Sequence, residues 1–199
     1  MTPIVKLVIL GRDGILNAFR DDHVKEPDEW HPLPGALEAV ARLNHHGWHT
    51  VVATNQSGIG RGMIDMSSVN AVHARMNQRL QAVGGRLDAV FFCPHAPEDQ
   101  CECRKPQPGM MLDIAHRYGI ALDSVPMVAD TLRDLLAARA AGCQPHLVRS
   151  GRAAELDPAQ LDAIVQQVPG TLVHDDLPDF VDFLLHREDA GASTHGDLR

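Results

Sequence analysis

The sequence predicts an α/β domain built on a largely parallel sheet, and three observations lead there. Short apolar runs of strand type alternate with stretches of helical period along the 199-residue chain. Polar clusters fall directly after several of the strand-like runs, which is where open α/β sheets bind their ligands. The length, with 44% hydrophobic residues, is enough to bury one substantial core.

In chain order, Val5 to Leu10 reads as a buried first strand. After a polar loop with Trp30 and Pro34-Gly35, the spacing of Ala36, Leu37, Val40, Ala41 and Leu43 predicts a crossover helix that stops at Asn44 to Gly47. His49 to Ala53 is a second strand, followed by Thr54-Asn55-Gln56-Ser57 and a loop with Gly58, Gly60 and Gly62 that we read as a mobile substrate loop. Ser67 to Val83 carries a long helical pattern with Ser67 as its candidate cap. Leu87 to Phe92 is a third strand, Met110 to Tyr118 a helix, Pro126 to Ala129 a short strand, and Leu132 to Ala141 a helix ended by Gly142. Pro145 to Val148, a helix over Asp157 to Gln167, the run Thr171 to His174 and a helix from Leu177 to about His186 close the domain. We therefore expect one domain over 1–187, no large cap domain, and a frayed tail over 188–199.

Composition narrows the function classes. A net charge of −8, 18 Lys and Arg, 4% aromatic residues and a pI near 5.8 argue against a nucleic-acid surface. No apolar run approaches the roughly 20 residues needed to cross a bilayer, and Met1 to Lys6 leads directly into a strand instead of a signal peptide. The expectation is a cytoplasmic monomer without membrane or nucleic-acid partners.

Three of the four cysteines lie within eleven residues, as Cys93-Pro-His95 and Cys101-Glu-Cys103. That crowding suits a metal better than disulfides, and Zn²⁺ is the expected occupant of a Cys₃His set. Four protein ligands leave no open position, so the role predicted is structural. Cys143, after Gly142, reads as a small buried residue. The remaining histidines read as surface or core residues without a second metal site.

A second constellation carries the chemistry. Asp13, Thr54, Asn55, Lys105 and Asp130 all follow strands or their loops. Two carboxylates, hydroxyl and amide donors and one cation are the components for phosphate and a divalent cation such as Mg²⁺.

Four blocks carry a family resemblance. They are Leu10-Gly-Arg-Asp-Gly-Ile-Leu-Asn17, Ala53-Thr-Asn-Gln-Ser-Gly-Ile-Gly-Arg-Gly62, the Cys/His segment running into Arg104-Lys-Pro-Gln-Pro-Gly-Met110, and Val128-Ala-Asp-Thr-Leu-Arg-Asp134. Over residues 4–150 the sequence resembles the haloacid-dehalogenase (HAD) superfamily of phosphohydrolases, and within it the heptose-bisphosphate phosphatases and related histidinol-phosphate phosphatases. The resemblance implies a HAD-like three-layer sandwich with a zinc-binding loop. It also implies a Mg²⁺-dependent reaction on a small phosphorylated sugar, removal of the 7-phosphate of a heptose 1,7-bisphosphate on the route to lipopolysaccharide precursors.

In the family the first Asp of the first block attacks phosphorus and the second acts as general acid and base. Carried over, Asp13 is the acid/base and offers its carbonyl to Mg²⁺, Asp130 is the carboxylate metal ligand, and Lys105 balances charge. Thr54 and Asn55 would bind phosphoryl oxygens, with Gln56, Ser57, Arg61 and Arg104 as substrate contacts. Two positions depart from the pattern: Ala129 stands where the family has Gly, and Gly11 stands where the nucleophile belongs. Gly11 is compatible with a lost residue in an otherwise active phosphatase, with a phosphosugar-binding pseudoenzyme, or with direct attack by a water at the metal.

Overall fold

The computed structural model describes residues 5–193. The strands are β1 (Leu7–Leu10), β2 (His49–Asn55), β3 (Ala89–Cys93), β4 (Pro126–Ala129), β5 (Gln144–Val148) and β6 (Leu172–His174). The helices are α1 (Ala36–His45), the single turn α2 (Ser57–Gly60), α3 (Met66–Ala82), α4 (Gly109–Tyr118), α5 (Leu132–Ala141), α6 (Pro158–Gln167) and α7 (Leu177–Ser193). All strand pairs are parallel, in the order β3-β2-β1-β4-β5-β6. This is the expected three-layer architecture.

Side chains alternate across the pleat, so β1 feeds both layers. Val8 and Leu10 pack with Leu37, Val40 and Leu43 of α1 and with Phe180, Val181 and Leu184 of α7. Leu7 and Ile9 face Met110, Met111 and Ile114 of α4 and Ala137 and Ala138 of α5. The chain winds outward from β1 to β3 and then returns to place β4 on the other side of β1. The reversal opens a crevice beyond the carboxyl ends of β1 and β4.

Besides β2, which runs past Ala53 through Thr54 to Asn55, five expectations change in detail. Strand β1 starts at Leu7, and the expectation of no leader segment falls mainly on 1–4, outside the described residues. Helix α3 starts at Met66 and is capped by Asp65, whose carboxylate accepts from Ser68 N at 2.7 Å and Ser67 Oγ at 2.8 Å. An acidic cap also suits the positive end of the helix dipole better than Ser67 would. Strand β3 starts at Ala89 because Asp88 is turned to β2, where its carboxylate accepts from Thr50 N at 2.9 Å. The Gly58 to Gly62 segment is not a free loop: it opens with α2, and Gly60 N donates to Pro94 O at 2.8 Å.

The fifth change is at the C-terminus. Helix α7 continues past His186 to Ser193, because Glu188 pairs with Lys6 at 2.8 Å and accepts from Trp48 Nε1 at 3.0 Å. The expected frayed tail is therefore helical over 188–193, and 194–199 lie outside the described residues.

At the far edge, His146 of β5 and His174 of β6 are buried, with Nδ1 and Nε2 2.9 Å apart among Phe180 and Phe183. Burial first, then the neighbouring His174 and Arg187, pushes His146 down to about 3, and burial also lowers His174. The unfolded chain thus takes up protons near pH 6.5 that the folded one refuses, so this contribution to stability is present above pH 6.5 and lost as pH falls toward 3. We expect urea-unfolding free energy to fall by up to about 1.4 kcal/mol per pH unit per histidine between pH 6 and 4. His146→Gln should flatten that slope. An unchanged slope in the variant would remove the histidines as its source.

Candidate active site

A cavity of about 250 Å³ opens at the carboxyl ends of β1, β2 and β4. It is lined by Asp13, Thr54, Asn55, Ser57 and Arg61, and by Arg104, Lys105 and Asp130. Eight of the expected site residues therefore converge, from four segments distant in sequence. Gly11 and Gln56 do not line it.

The local fold explains each placement. Gly11 ends β1 with its N–H on Val128 O at 3.0 Å, which ties β1 to β4 below the cavity. Arg12 is buried, and its guanidinium clasps both Asp13 oxygens at 2.9 and 3.0 Å. Arg12 Nη1 also lies 3.3 Å from His73 Nε2 of α3. Gln56 is buried beside it: with its amide oxygen toward Arg12 it accepts from Nη1 and Nη2 at 3.2 Å and from Thr54 Oγ1 at 2.9 Å. The expectation of Gln56 as a substrate contact is thus replaced by a supporting position behind the cavity. Burial pushes the Asp13 carboxyl up, but Arg12 and the Asn17 amide, 2.9 Å away, outweigh it and hold the group below its usual value.

Lys105 is buried at the opposite wall. Its Nζ donates to Ala53 O and to Asp134 Oδ2, both at 2.8 Å. Asn55 spends its amide on the same residue: Nδ2 donates to Lys105 O at 3.1 Å and Oδ1 accepts from Lys105 N at 3.2 Å. Its side chain therefore fixes the Lys105 backbone. Asp134 lies in the first turn of α5, where its N–H also approaches Thr131 Oγ1. Burial raises its pKa, and the Lys105 and Arg133 cations more than reverse the effect.

Asp130 ends β4 and is 4% exposed. It accepts from Arg152 N at 2.9 Å, and among the described residues it has no ion-paired cation. Burial pushes its pKa up to about 6. Two glycines make room for this carboxylate: a Cβ at Gly14 (φ +79°) would lie 2.1 Å from Asp130 Oδ2, and one at Gly151 (φ +54°) 2.3 Å. A buried, cation-free carboxylate in such a cradle is a fitting place for a divalent ion.

The Cys/His loop lies beside this wall. Sγ of Cys101 is 3.5 Å from Sγ of both Cys93 and Cys103, and His95 Nδ1 is 3.6 Å from Cys93 and 3.3 Å from Cys103. All four ligand atoms lie within 4.8 Å of one another. A tetrahedral Zn²⁺ with bonds of about 2.0 to 2.3 Å needs edges of about 3.5 to 3.8 Å, so the donor set fits zinc. The thiols share their protons: burial and the adjacent sulfurs push Cys103 up, while hydrogen bonds from Cys103 and Cys93 outweigh burial and bring Cys101 down.

Comparison with known proteins decides the family. A family model described as HAD-hydrolase-like matches residues 102–180, and one described as polynucleotide kinase 3 phosphatase matches residues 13–130. The D-glycero-beta-D-manno-heptose-1,7-bisphosphate 7-phosphatase of Bordetella bronchiseptica is 54% identical over 147 residues, 74% of this chain and 82% of that protein. The protein of the same name from Pseudomonas aeruginosa is 45% identical over 172 residues, covering 86% and 93%. The crystal structure of the D,D-heptose 1,7-bisphosphate phosphatase from B. bronchiseptica, complexed with magnesium and phosphate, superposes with a TM-score of 0.86 at 48% identity, covering 92% of this chain and 99% of that one.

The chain belongs to the heptose-bisphosphate phosphatase family.

Within this family of HAD-like phosphohydrolases, sequence reasoning missed several residues at the site. Phe19, Arg20, Asp21 and His23 come from the loop after β1, and Arg133, Asp134 and Arg152 from the other side. Arg152 stacks on Phe19 with its guanidinium carbon 4.0 Å from the ring centroid. Asp134 lay in a motif block, but its role depends on a pairing with Lys105 that spans 29 residues. Arg12 stood inside the first block, and only its burial against α3 shows that it supports Asp13.

Two predictions follow from this geometry. Asp134→Ala leaves the Lys105 ammonium buried and unpaired, and should lower unfolding free energy by about 3–5 kcal/mol in urea titrations. A loss under ~1 kcal/mol would show that Lys105 finds water or another acceptor. Freshly purified protein should contain equimolar zinc, and stripping it with a chelator should lower the melting temperature; zinc-free protein with an unchanged melt would remove the structural site.

Proposed function

We propose that this chain binds D-glycero-D-manno-heptose 1,7-bisphosphate at the cavity and that Gly11 limits its turnover as a phosphomonoester hydrolase. The observation carrying this reading is the convergence of Asp13, Thr54, Lys105 and Asp130 on one cavity in a chain whose relatives bear that substrate in their names. Those names favour a heptose bisphosphate over histidinol phosphate. The net charge of −8 fits a free sugar phosphate better than a polynucleotide. No described helix is long and apolar enough to cross a membrane. A cytoplasmic monomer is part of the proposal.

The residues divide the work. Lys105, held by Asp134, places a positive charge against the phosphoryl group, and the Thr54 hydroxyl faces the same space. Ser57, Arg61 and Arg104 line the part of the cavity open to the sugar and its second phosphate. Asp13 is the candidate proton carrier, oriented by Arg12 and Asn17: once a carboxylate at position 11 attacked phosphorus, it would protonate the departing oxygen, and it would take the proton of the water that then cleaves the acyl phosphate. Mg²⁺, held by the Asp130 carboxylate and the Asp13 carbonyl, would supply charge neutralisation to the phosphoryl oxygens. Attack on phosphorus requires an electron pair that Gly11 does not have, so no aspartyl-phosphate forms there.

The position has also lost space. A Cβ built on Gly11 lies 2.9 Å from Ile15 Cγ1, so a side chain there requires Ile15 to move. With Mg²⁺ and the heptose bisphosphate, Gly11→Asp should raise turnover by about a thousandfold or more. Ile15→Ala in the same background serves if the single variant folds poorly. Equal turnover with and without the carboxylate, in a folded variant that binds substrate, would sink the nucleophile argument.

A further inference from the structure

Resting on the reading of the cavity as a phosphoryl site, we propose that Arg152, held on the ring of Phe19, meets a second phosphate on the ligand and so selects a sugar bisphosphate over a monophosphate. The arginines that line the cavity differ in what they are free to do. Arg12 is buried and spent on Asp13. Arg133 leans on Asp134 at 3.3 Å, and Arg20 on Asp22 and Glu29. Arg104 donates to His95 O at 3.3 Å. Among the described residues, that leaves Arg61 and Arg152 as the lining arginines whose guanidinium groups have neither a hydrogen bond nor an ion pair.

Of these two, only Arg152 is also held in place. Its guanidinium carbon lies 4.0 Å from the Phe19 ring centroid, a contact that steadies the charge and leaves the N–H groups without a conventional acceptor. The backbone beneath is fixed as well: Arg152 N donates to Asp130 Oδ2 at 2.9 Å, and Ser150 Oγ to Gly14 O at 2.6 Å. Glu155 stands three residues on in the short 3-10 turn Gly151–Glu155, a spacing that stacks side chains over one another, yet the guanidinium lies on Phe19.

Position and surroundings point to the second phosphate and not to the reacting one. Lys105 and Thr54 are buried, whereas Arg152 is exposed, so the two cations serve different depths of one cavity. A hollow of about 430 Å³ shares Phe19, Asp21 and Arg152 with the cavity and adds the carboxylate of Glu155. Anions are therefore disfavoured in that hollow and drawn to the cavity side, where Arg61 and Arg104 add positive charge. A guanidinium fork matches phosphate oxygens in pairs, and one already held on a ring has little freedom to lose.

Equilibrium binding tests this. The heptose 1,7-bisphosphate and the corresponding 7-phosphate are titrated calorimetrically, with Mg²⁺, into the zinc-loaded chain and into its Arg152→Met and Phe19→Leu variants. We expect the unaltered chain to prefer the bisphosphate by about tenfold or more, the scale of charge-assisted hydrogen bonds. Arg152→Met, which keeps an apolar stem and loses the fork, should lower that preference to under about threefold and leave 7-phosphate affinity within about twofold. Phe19→Leu, which keeps the cation and removes its platform, should lower the preference by about threefold. An Arg152→Met chain that keeps a preference above about threefold, or that weakens both ligands alike, overturns the proposal. So does an unaltered chain that binds the two ligands equally, and an undiminished preference in Phe19→Leu removes the ring as the platform. In each of these outcomes the bisphosphate still binds, and the reading of the cavity stands. An unaltered chain that binds neither ligand removes that reading, and the role of Arg152 with it.

Discussion

Burial of the Lys105 ammonium is the constraint around which the site is assembled. Taking such an ion out of water costs several kcal/mol unless its charge and protons are fully met. Here the partners come from two distant elements, Ala53 O near the end of β2 and Asp134 in the first turn of α5. Satisfying one cation therefore locks the second strand to the helix after the fourth. The Asn55 amide grips the Lys105 backbone on both sides, and Cys103 lies only two residues upstream. Order imposed on the Cys/His loop by a metal is thereby passed to the Lys105 cation in the cavity wall.

Arg12 plays the matching part on the other wall. It is buried between Asp13, His73 and Gln56, so the acid/base candidate is oriented by a guanidinium anchored to α3. Neither cation depends on position 11. The charge framework therefore stands around a glycine. What the glycine changes is local: a missing electron pair, a missing negative charge, and an Ile15 side chain close to where a Cβ would stand.

Much of this was legible in the sequence wherever the signal was local. Strand β4 and helix α5 have the limits that apolar runs and the Gly142 stop predict, because both ends are marked by the residues themselves. The cavity residues were legible because a parallel sheet delivers post-strand residues to one edge. What escaped depends on partners far along the chain. Helix α7 outlasts its apolar pattern because Glu188 is held by Trp48 and Lys6, and Asp134 matters through Lys105. Gln56 resembled a surface contact beside Thr54, but Arg12 draws it inward. Asp65 displaced Ser67 as a cap because either can cap a helix by type, and only the backbone path decides between them.

Among the described residues no inserted domain stands over the cavity, and its rim is stiffer than its loop composition suggests. Gly60 has no room for a side chain, since a Cβ there would lie 2.7 Å from Ala96 N and 2.9 Å from Pro94 O. That close approach fastens the α2 turn to the Cys/His loop, so a metal in that loop braces both Arg104 and the segment carrying Arg61. Across the opening, Arg152 gives its N–H to Asp130 and its guanidinium to the face of Phe19. One residue thus links the depth of the cavity to its mouth. A rim set in this way has little freedom to lose when a ligand enters.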